Sequence, residues 1–507
     1  MNQDEMLTLL PFILVAGLGL AIIVVDLILP RRNDIIMAMG IGGMGVALAV
    51  TIVIGPLPGG VGLLEAGGSI GNPALYSRDL LTALLDVVLI SIGMLTLMFA
   101  PDYLAPRKLP LAEFSASLIF AISGGMLIAG GQDLLILFLG LELLVLPGYL
   151  LAGFAKRDGL STEGAIKYFL LGSFSSAILL FGMAFLLGYT GSTQIDVIAE
   201  RLRSLLDGGE PLPLALAMGL GLLSVGVLFK IAAVPFHYWT PDAYQGSPTP
   251  VTGYLSVGPK IAAFALILRI FVEALEPLRG DWALIIAVLA AVTMTVGNLA
   301  ALGQDNIKRM LAYSSIAHTG YIMVGLVVFA LADDQDVATA GIQGVLFYSF
   351  AYVFMNLGAF AVVAALQRRP GVTSQISSFS GLGYRTPLLA LAMTIFLLSL
   401  TGIPPLAGFF AKAIIVLGAL QAGEGATVLA VILMLNAAVA AFYYLRVVVY
   451  MYMRKPADDA PAVSIGSPTK LGLIIAASAT ILIGLFPPVT GAILDWTEAA
   501  AAALARL

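Results

Sequence analysis

Apolar runs of about 17 to 25 residues recur along the whole chain, separated by short segments rich in proline, glycine and charge. Runs of that length match the hydrocarbon thickness of a bilayer, so the pattern predicts an all-α polytopic membrane protein with fourteen transmembrane helices. The first eight runs are 7–29, 35–55, 80–100, 111–129, 133–154, 164–189, 212–235 and 251–272. The remaining six are 282–302, 310–331, 341–366, 387–420, 426–453 and 471–494. Proline interrupts two of them: the seventh at Pro235, just after Lys230, and the twelfth at Pro404 and Pro405, just before Lys412. Proline removes a backbone donor and frees carbonyls, which membrane depth tolerates only where protein or water satisfies them. Taking spans 4–8 and 9–13 as two units brings the broken helices 7 and 12 into correspondence, and the units enter from opposite sides. That predicts an inverted repeat, with N-terminal helices in 1–110, a first repeat in 111–274, a second in 281–453 and a C-terminal helix in 468–507. In this alignment Glu142 on span five corresponds to the mid-span His318 on span ten.

Composition agrees with a membrane protein: 60% of the 507 residues are hydrophobic and 11% charged, with mean hydropathy +1.01, against about 25% charged in soluble proteins. The first run is too long for a signal-peptide core and is followed by Arg31 and Arg32, so it is expected to be retained. With the N-terminus outside, the inner loops hold Arg31, Arg32, Arg107, Lys108, Lys156, Arg157, Lys308, Arg309, Arg368, Arg369, Arg385, Arg454, Lys455 and Lys470. The outer loops hold Arg78, Arg201, Arg203, Arg279 and Arg506. This asymmetry places both termini on the periplasmic side or its equivalent. The absence of cysteine excludes an iron–sulfur cluster, a thiolate metal site and a disulfide, so redox chemistry would belong to another chain, and no metal site is expected. No basic face offers a nucleic-acid site, and the expected surroundings are lipid. Gly40, Gly42 and Gly45 spell a dinucleotide-binding spacing, but inside an apolar spanning run close helix packing explains them better.

Six basic residues, Lys167, Lys230, Lys260, Arg269, Lys412 and Arg446, lie within the spanning runs, and Glu142 lies in another. A lysine at mid-span costs about 2.5 to 3.5 kcal/mol on insertion scales, which makes such residues functional candidates. Arg269 and Arg446 lie toward helix ends, where snorkelling to the headgroups is the favoured reading. Lys167 sits near an inner helix end, where it can snorkel or face Glu142. His237 follows the Pro235 break in PFHYW and His318 lies in YSSIAHTGY; a passive interfacial or packing histidine is the plainer reading of each.

The segment KIAAVPFHYWTPDAYQGSPTPVTGYLSVGPK from Lys230 to Lys260, with IKRMLAYSSIAHTGY on the tenth run, resembles the antiporter-like membrane subunits of respiratory complex I, the proton-pumping NADH:quinone oxidoreductase. LGLELLVLPGYLL around Glu142, GAIKYFLLGS around Lys167 and LTGIPPLAGFFAK ending at Lys412 extend the resemblance over nearly the whole chain. Within that family the chain resembles the N type. Tyr244 stands where L and M types usually have histidine, Lys412 where M types usually have glutamate, and the long lateral helix of L types is absent.

The resemblance implies a central polar axis of Glu142, Lys230, Lys260 and Lys412, with Lys167, His237 and His318 as possible linking groups. It implies partners among other membrane subunits, including homologous antiporter-like ones, with quinone, FMN and iron–sulfur clusters elsewhere in the assembly. The expected location is a prokaryotic inner membrane; thylakoid or other energy-transducing membranes also house such complexes. Burial disfavours a charged lysine and a nearby carboxylate favours it, so a changing Glu142 to Lys230 separation would switch proton affinity. A thousandfold swing is roughly 4 kcal/mol, against about 2.3 kcal/mol for one charge crossing 100 mV. Two other readings remain: a subunit of a multi-chain sodium/proton antiporter, and a structural spacer in the membrane arm.

Overall fold

The computed structural model describes residues 3–58, 60–61, 74–206, 212–368, 371–456 and 463–505. Arg369 and Arg506 lie outside the described residues. Among the described residues the chain is helical, with one two-residue hairpin, Gly60–Val61 paired antiparallel with Tyr76–Ser77. Its first ten helices are α1 (Gln3–Ile28), α2 (Asn33–Ile54), α3 (Leu80–Leu104), α4 (Leu111–Gly130), α5 (Leu134–Ala152), α6 (Gly159–Thr190), α7 (Ile195–Leu206), α8 (Leu214–Lys230), α9 (Trp239–Gly246) and α10 (Thr249–Ile267). The others are α11 (Arg279–Leu302), α12 (Ile307–Leu331), α13 (Gln335–Leu366), α14 (Leu382–Arg385), α15 (Pro387–Thr401), α16 (Ala407–Gln421), α17 (Glu424–Met453), α18 (Ser467–Leu485) and α19 (Pro487–Ala505). Among the described residues twelve helical stretches are long and apolar enough to span a bilayer, and α8, α15 and α16 are shorter apolar helices. The chain is therefore a multi-pass membrane protein.

Helix starts follow from side chains that satisfy the free N–H groups of a first turn. The carboxylates of Asp79, Asp133 and Asp158 accept from the backbone N–H of Thr82, Leu135 and Leu160 at 2.8, 2.8 and 3.0 Å. Asn306 accepts from the N–H of both Lys308 and Arg309, at 3.0 and 3.2 Å. α10 is buried along its whole spanning window and α12 nearly so, with α3 and α13 close behind; these four form the core. α1 and α2 are mostly exposed and present Leu20, Leu27 and Val53, apolar side chains suited to lipid.

One arrangement occurs twice. Asp133, the N-cap of α5, bridges Gln194, and Asn306, the N-cap of α12, bridges Gln375. The N–H of Leu134 donates to Thr193 O at 2.8 Å, as Ile307 does to Ser374 O at 2.7 Å. Between these bridging residues run α6 and α13, both 32 residues long and both capped by an aspartate, Asp158 and Asp334. Each set leads to a helical gap, after Lys230 in one and after Thr401 in the other.

Two helices differ from the sequence expectation. The run 471–494 is divided: α18 stops at Leu485 and α19 starts at Pro487, because Pro487 and Pro488 lack the N–H that would continue α18 but suit a first helical turn. The amphipathic α7, which buries Ile195, Ile198, Ala199 and Leu202, is too short and too charged to register as a spanning run.

At the second gap Gly408 lies against the end of α15, where its N–H donates to Ser399 Oγ at 3.0 Å and an added Cβ would collide with the Ser399 carbonyl oxygen. Gly408→Ala is expected to destabilise the fold by about 1–3 kcal/mol, since backbone cannot yield as a flexible side chain does. A lower content of assembled subunit in membranes and a lower unfolding temperature in detergent would show it.

Candidate functional site

α8 ends at Lys230, and Ala232 then adopts a left-handed φ of +59°, a common way to stop a helix. The carbonyls and amides of this gap are satisfied from three sides. Thr319 Oγ1 donates to Ile231 O at 2.8 Å, Val234 N–H donates to Thr293 Oγ1 at 3.0 Å, and Trp239 Nε1 donates to Phe229 O at 3.2 Å. Lys230 is buried, and its Nζ donates to Ser176 Oγ at 2.9 Å and to Gly172 O at 3.4 Å, both on α6. Glu142, on α5, is near enough to act electrostatically on Lys230, and its Oε1 is buried without a hydrogen-bond partner.

Lys260 lies midway along α10, where its Nζ donates to Ser315 O, Ser315 Oγ and Thr319 Oγ1 at 2.9, 2.8 and 3.2 Å. Thr319 thus touches both the first gap and the central lysine. One helical face of α12 carries Ser315, His318 and Thr319 together, at the spacing that puts residues three and four apart side by side. His318 is buried, with Nδ1 2.6 Å from Tyr348 OH and Nε2 3.1 Å from Tyr444 OH, and it lies within electrostatic range of both Lys260 and Lys412. Lys412 Nζ donates to Leu400 O at 2.8 Å and Thr401 O at 2.7 Å, the free carbonyls at the end of α15, and lies 5.3 Å from the Tyr321 ring centre.

These partners differ in what they permit. Hydroxyls beside Lys230 and Lys260 can accept from an ammonium or turn to donate to a neutral amine, so either protonation state keeps its hydrogen bonds. The carbonyls beside Lys412 only accept, and the end of a helix carries partial negative charge, which suits a cation.

Lys167 stands apart from this row. Its Nζ pairs with Glu163 at 2.6 Å and Asp242 at 2.7 Å, not with Glu142. His237 is brought close to that ion pair rather than to His318, lining with Lys167 and Asp242 a cavity beside the first gap. Arg269 does not snorkel: it is fully buried and paired with Asp79 and Glu273, each at 2.7 Å. Arg446 donates to Leu302 O and Gln304 O at the end of α11 and lies 3.6 Å from Asp305. Arg78, expected in a loop, is fully buried against Asp86 at 2.6 Å. Lys308, also expected in a loop, is buried and donates to Gln245 O and Ser247 O at the end of α9. Of the glycines that mimic a nucleotide loop, Gly40 packs on Leu97, while Gly42 and Gly45 face open space.

Counted from the N-caps Asp133 and Asn306, Glu142 and Ser315 each fall nine residues into their helices and His318 twelve. Ser176, Ser315, Thr319, Tyr348 and Tyr444 were not singled out by sequence. The signal available for Ser315 and Thr319 is their placement around His318 in an otherwise apolar helix. Among the described residues no group of His, Cys, Asp or Glu is arranged to hold a metal ion.

Residues 131–436 match the family model described as NADH:quinone oxidoreductase/Mrp antiporter, transmembrane. The chain is 40% identical over 487 residues to the NADH-quinone oxidoreductase subunit N of Trichlorobacter lovleyi, covering 94% of each chain. It is 40% identical over 509 residues to subunit N 1 of Koribacter versatilis, covering 98% of this chain and 96% of the relative. A chain of the respiratory complex I structure from Thermus thermophilus aligns with a TM-score of 0.74 at 32% identity, covering 96% of this chain and 98% of that one.

Proposed function

Because the chain belongs to the NADH-quinone oxidoreductase subunit N family, whose members are proton-translocating membrane subunits of complex I, we propose that protons cross it along Glu142, Lys230, Lys260 and Lys412. Its partners are other membrane subunits of a complex I-type assembly, and it takes part in catalysis as a subunit of that translocase. Quinone, FMN and iron–sulfur clusters belong, on this reading, to the other subunits, and quinone reduction there supplies the energy.

The row of buried groups carries the proposal: Lys230 at the first gap, Thr319 bonded to both that gap and Lys260, and His318 within electrostatic range of both Lys260 and Lys412. Lys230 loads from the inner side, Lys260 passes the proton by way of His318 and water, and Lys412 releases it outward. Glu142 modulates Lys230, since a carboxylate at a changing distance alters how tightly a buried amine holds its proton.

We further read the chain as fourteen spans, in which α8 with α9 and α15 with α16 are helices broken around Pro235 and around Pro404 and Pro405. The doubled bridge and the matched 32-residue helices support two inverted repeats, 111–274 and 281–453, between N-terminal helices in 1–110 and a C-terminal segment in 468–507. The basic loops support an inner-membrane location with both termini on the periplasmic side.

Lys260→Ala tests the axis at its middle. Proton translocation per electron, measured in inverted membrane vesicles beside the amount of assembled complex, is expected to fall severalfold. Unchanged stoichiometry in assembled complex would remove Lys260 from the path.

A further inference from the structure

A cavity of about 410 Å³ opens between α6, the start of α9 and the first turns of α12. We propose that this cavity is the proton-intake mouth, with His237 as its proton acceptor and Asp242 as the positioning residue that sets its charge. The proposal rests on the lysine axis above and assigns the entry point that the axis lacks.

His237 is 8% exposed, its Nδ1 forms no regular hydrogen bond although the ring lies near the Pro235 carbonyl, and the ring stacks on the exposed Tyr238 at 4.6 Å between centres. A buried polar atom without a partner is costly, and here the ring lines a space large enough for water. His237 also sits two residues beyond Pro235, in the gap that begins at Lys230. An imidazole accepts a proton at one nitrogen and releases one from the other, which suits a relay between cavity water and the gap that follows Lys230. One proton enters at Nδ1 from cavity water and one leaves from Nε2 toward Lys230; the ring is then neutral in the other tautomer, and a ring turn or proton exchange through cavity water resets it.

The charged groups that share the cavity with this ring come from all three helices: Lys167 from α6, with Glu163 paired behind it, Asp242 from α9, and Arg309, with the phenol Tyr313, from α12. Two cations beside a proton acceptor would repel the incoming proton. Asp242 offsets both, accepting from Lys167 Nζ at 2.7 Å and from Arg309 Nη1 at 2.6 Å. The same pairs tie α9 to α6 and α12, which keeps His237 in register with the gap.

Asp242→Asn removes, without changing shape, the carboxylate paired with Arg309 and one of the two paired with Lys167, Glu163 being the other, so the net positive charge beside His237 rises and opposes its protonation. Turnover-coupled proton uptake by inverted vesicles is expected to fall severalfold, and its alkaline limb to move about one pH unit lower. Asp242→Glu should restore the limb, and His237→Gln should lower uptake at every pH. A merely structural role would reduce assembled complex without moving the pH limb. Should Asp242→Asn not assemble, Tyr238→Cys decides, because the chain has no other cysteine. Modification by a membrane-impermeant thiol reagent from the inner face alone, with loss of pumping relative to the unmodified variant, would support the mouth; labelling without loss, or only from the outer face, would overturn it. If Lys230→Ala stops pumping while Asp242→Asn and His237→Gln match the parent, the intake assignment fails and the axis stands. If Lys230→Ala is also silent, the axis fails with it.

Discussion

Membranes carrying Lys230→Ala are expected to contain assembled complex whose proton translocation per electron is lowered at least tenfold in this chain's share. Assembly should survive because the gap does not depend on the amine: Thr319, Thr293 and Trp239 satisfy its backbone. The substitution removes a side chain whose hydrogen bonds go to Ser176 and Gly172, both neutral. What is lost is the group able to hold a proton between the gap and Lys260. A tenfold loss corresponds to about 1.4 kcal/mol on the rate-limiting barrier, small beside the cost of placing a proton in that region without a base. Lys230→Arg sharpens the test, since a guanidinium keeps the charge but does not release its proton at any working pH. Loss of pumping in both variants marks Lys230 as a carrier. Retention in the arginine variant alone would mean that only its charge matters, and full stoichiometry in both would end the proposal for this residue.

Arg269→Met is expected to reduce assembled protein sharply, by about 3–5 kcal/mol of stability, because it leaves the buried Glu273 carboxylate without its cation and takes the partner from the half-buried Asp79 as well. Arg269 joins elements distant in sequence: it pairs with Asp79 at the start of α3 and with Glu273 one turn along the π-helical segment Leu268–Ala274 that continues α10, and donates to Ala129 O at 2.8 and 3.0 Å at the end of α4. Glu273 is 5% exposed and its Oε2 already has no partner, so removing the arginine leaves the whole carboxylate uncompensated. Arg269→Met with Glu273→Gln should recover part of the loss, since an amide is cheaper to bury than a charge. Membrane content of the assembled complex and its unfolding temperature would report both. A single variant as stable as the parent would show that the cluster contributes nothing.

Much of this was legible in the chain because a bilayer imposes lengths: the runs around Glu142, Lys260 and His318 fall on α5, α10 and α12 with errors of a few residues. Proline was a coarser guide: α8 stops at Lys230, ahead of Pro235, and α15 at Thr401, ahead of Pro404. Partners were not legible, because they depend on which helices meet. Lys167 and Glu142 lie on consecutive runs, but the ammonium reaches Glu163 and Asp242. Arg269 sits where a chain could snorkel, but Asp79 and Glu273 hold it inside, and Lys308 looks like a loop cation until α9 is seen to end above it. Hydroxyls such as Thr319 give little sequence signal, since an isolated threonine in an apolar helix usually bonds only its own backbone.

Thr319 has a second neighbour besides Ile231: its Oγ1 also lies 3.1 Å from Ser315 O, an oxygen that Lys260 uses as well. A hydroxyl has one hydrogen, which serves one carbonyl at a time. While the gap after Lys230 stays in place, that hydrogen points to Ile231 O and leaves Ser315 O to the ammonium. Displacing the gap turns the hydrogen back onto α12, where it competes for the oxygen that steadies Lys260. Were the gap to move, a single rotating bond would weaken the hold on the cation a helix away.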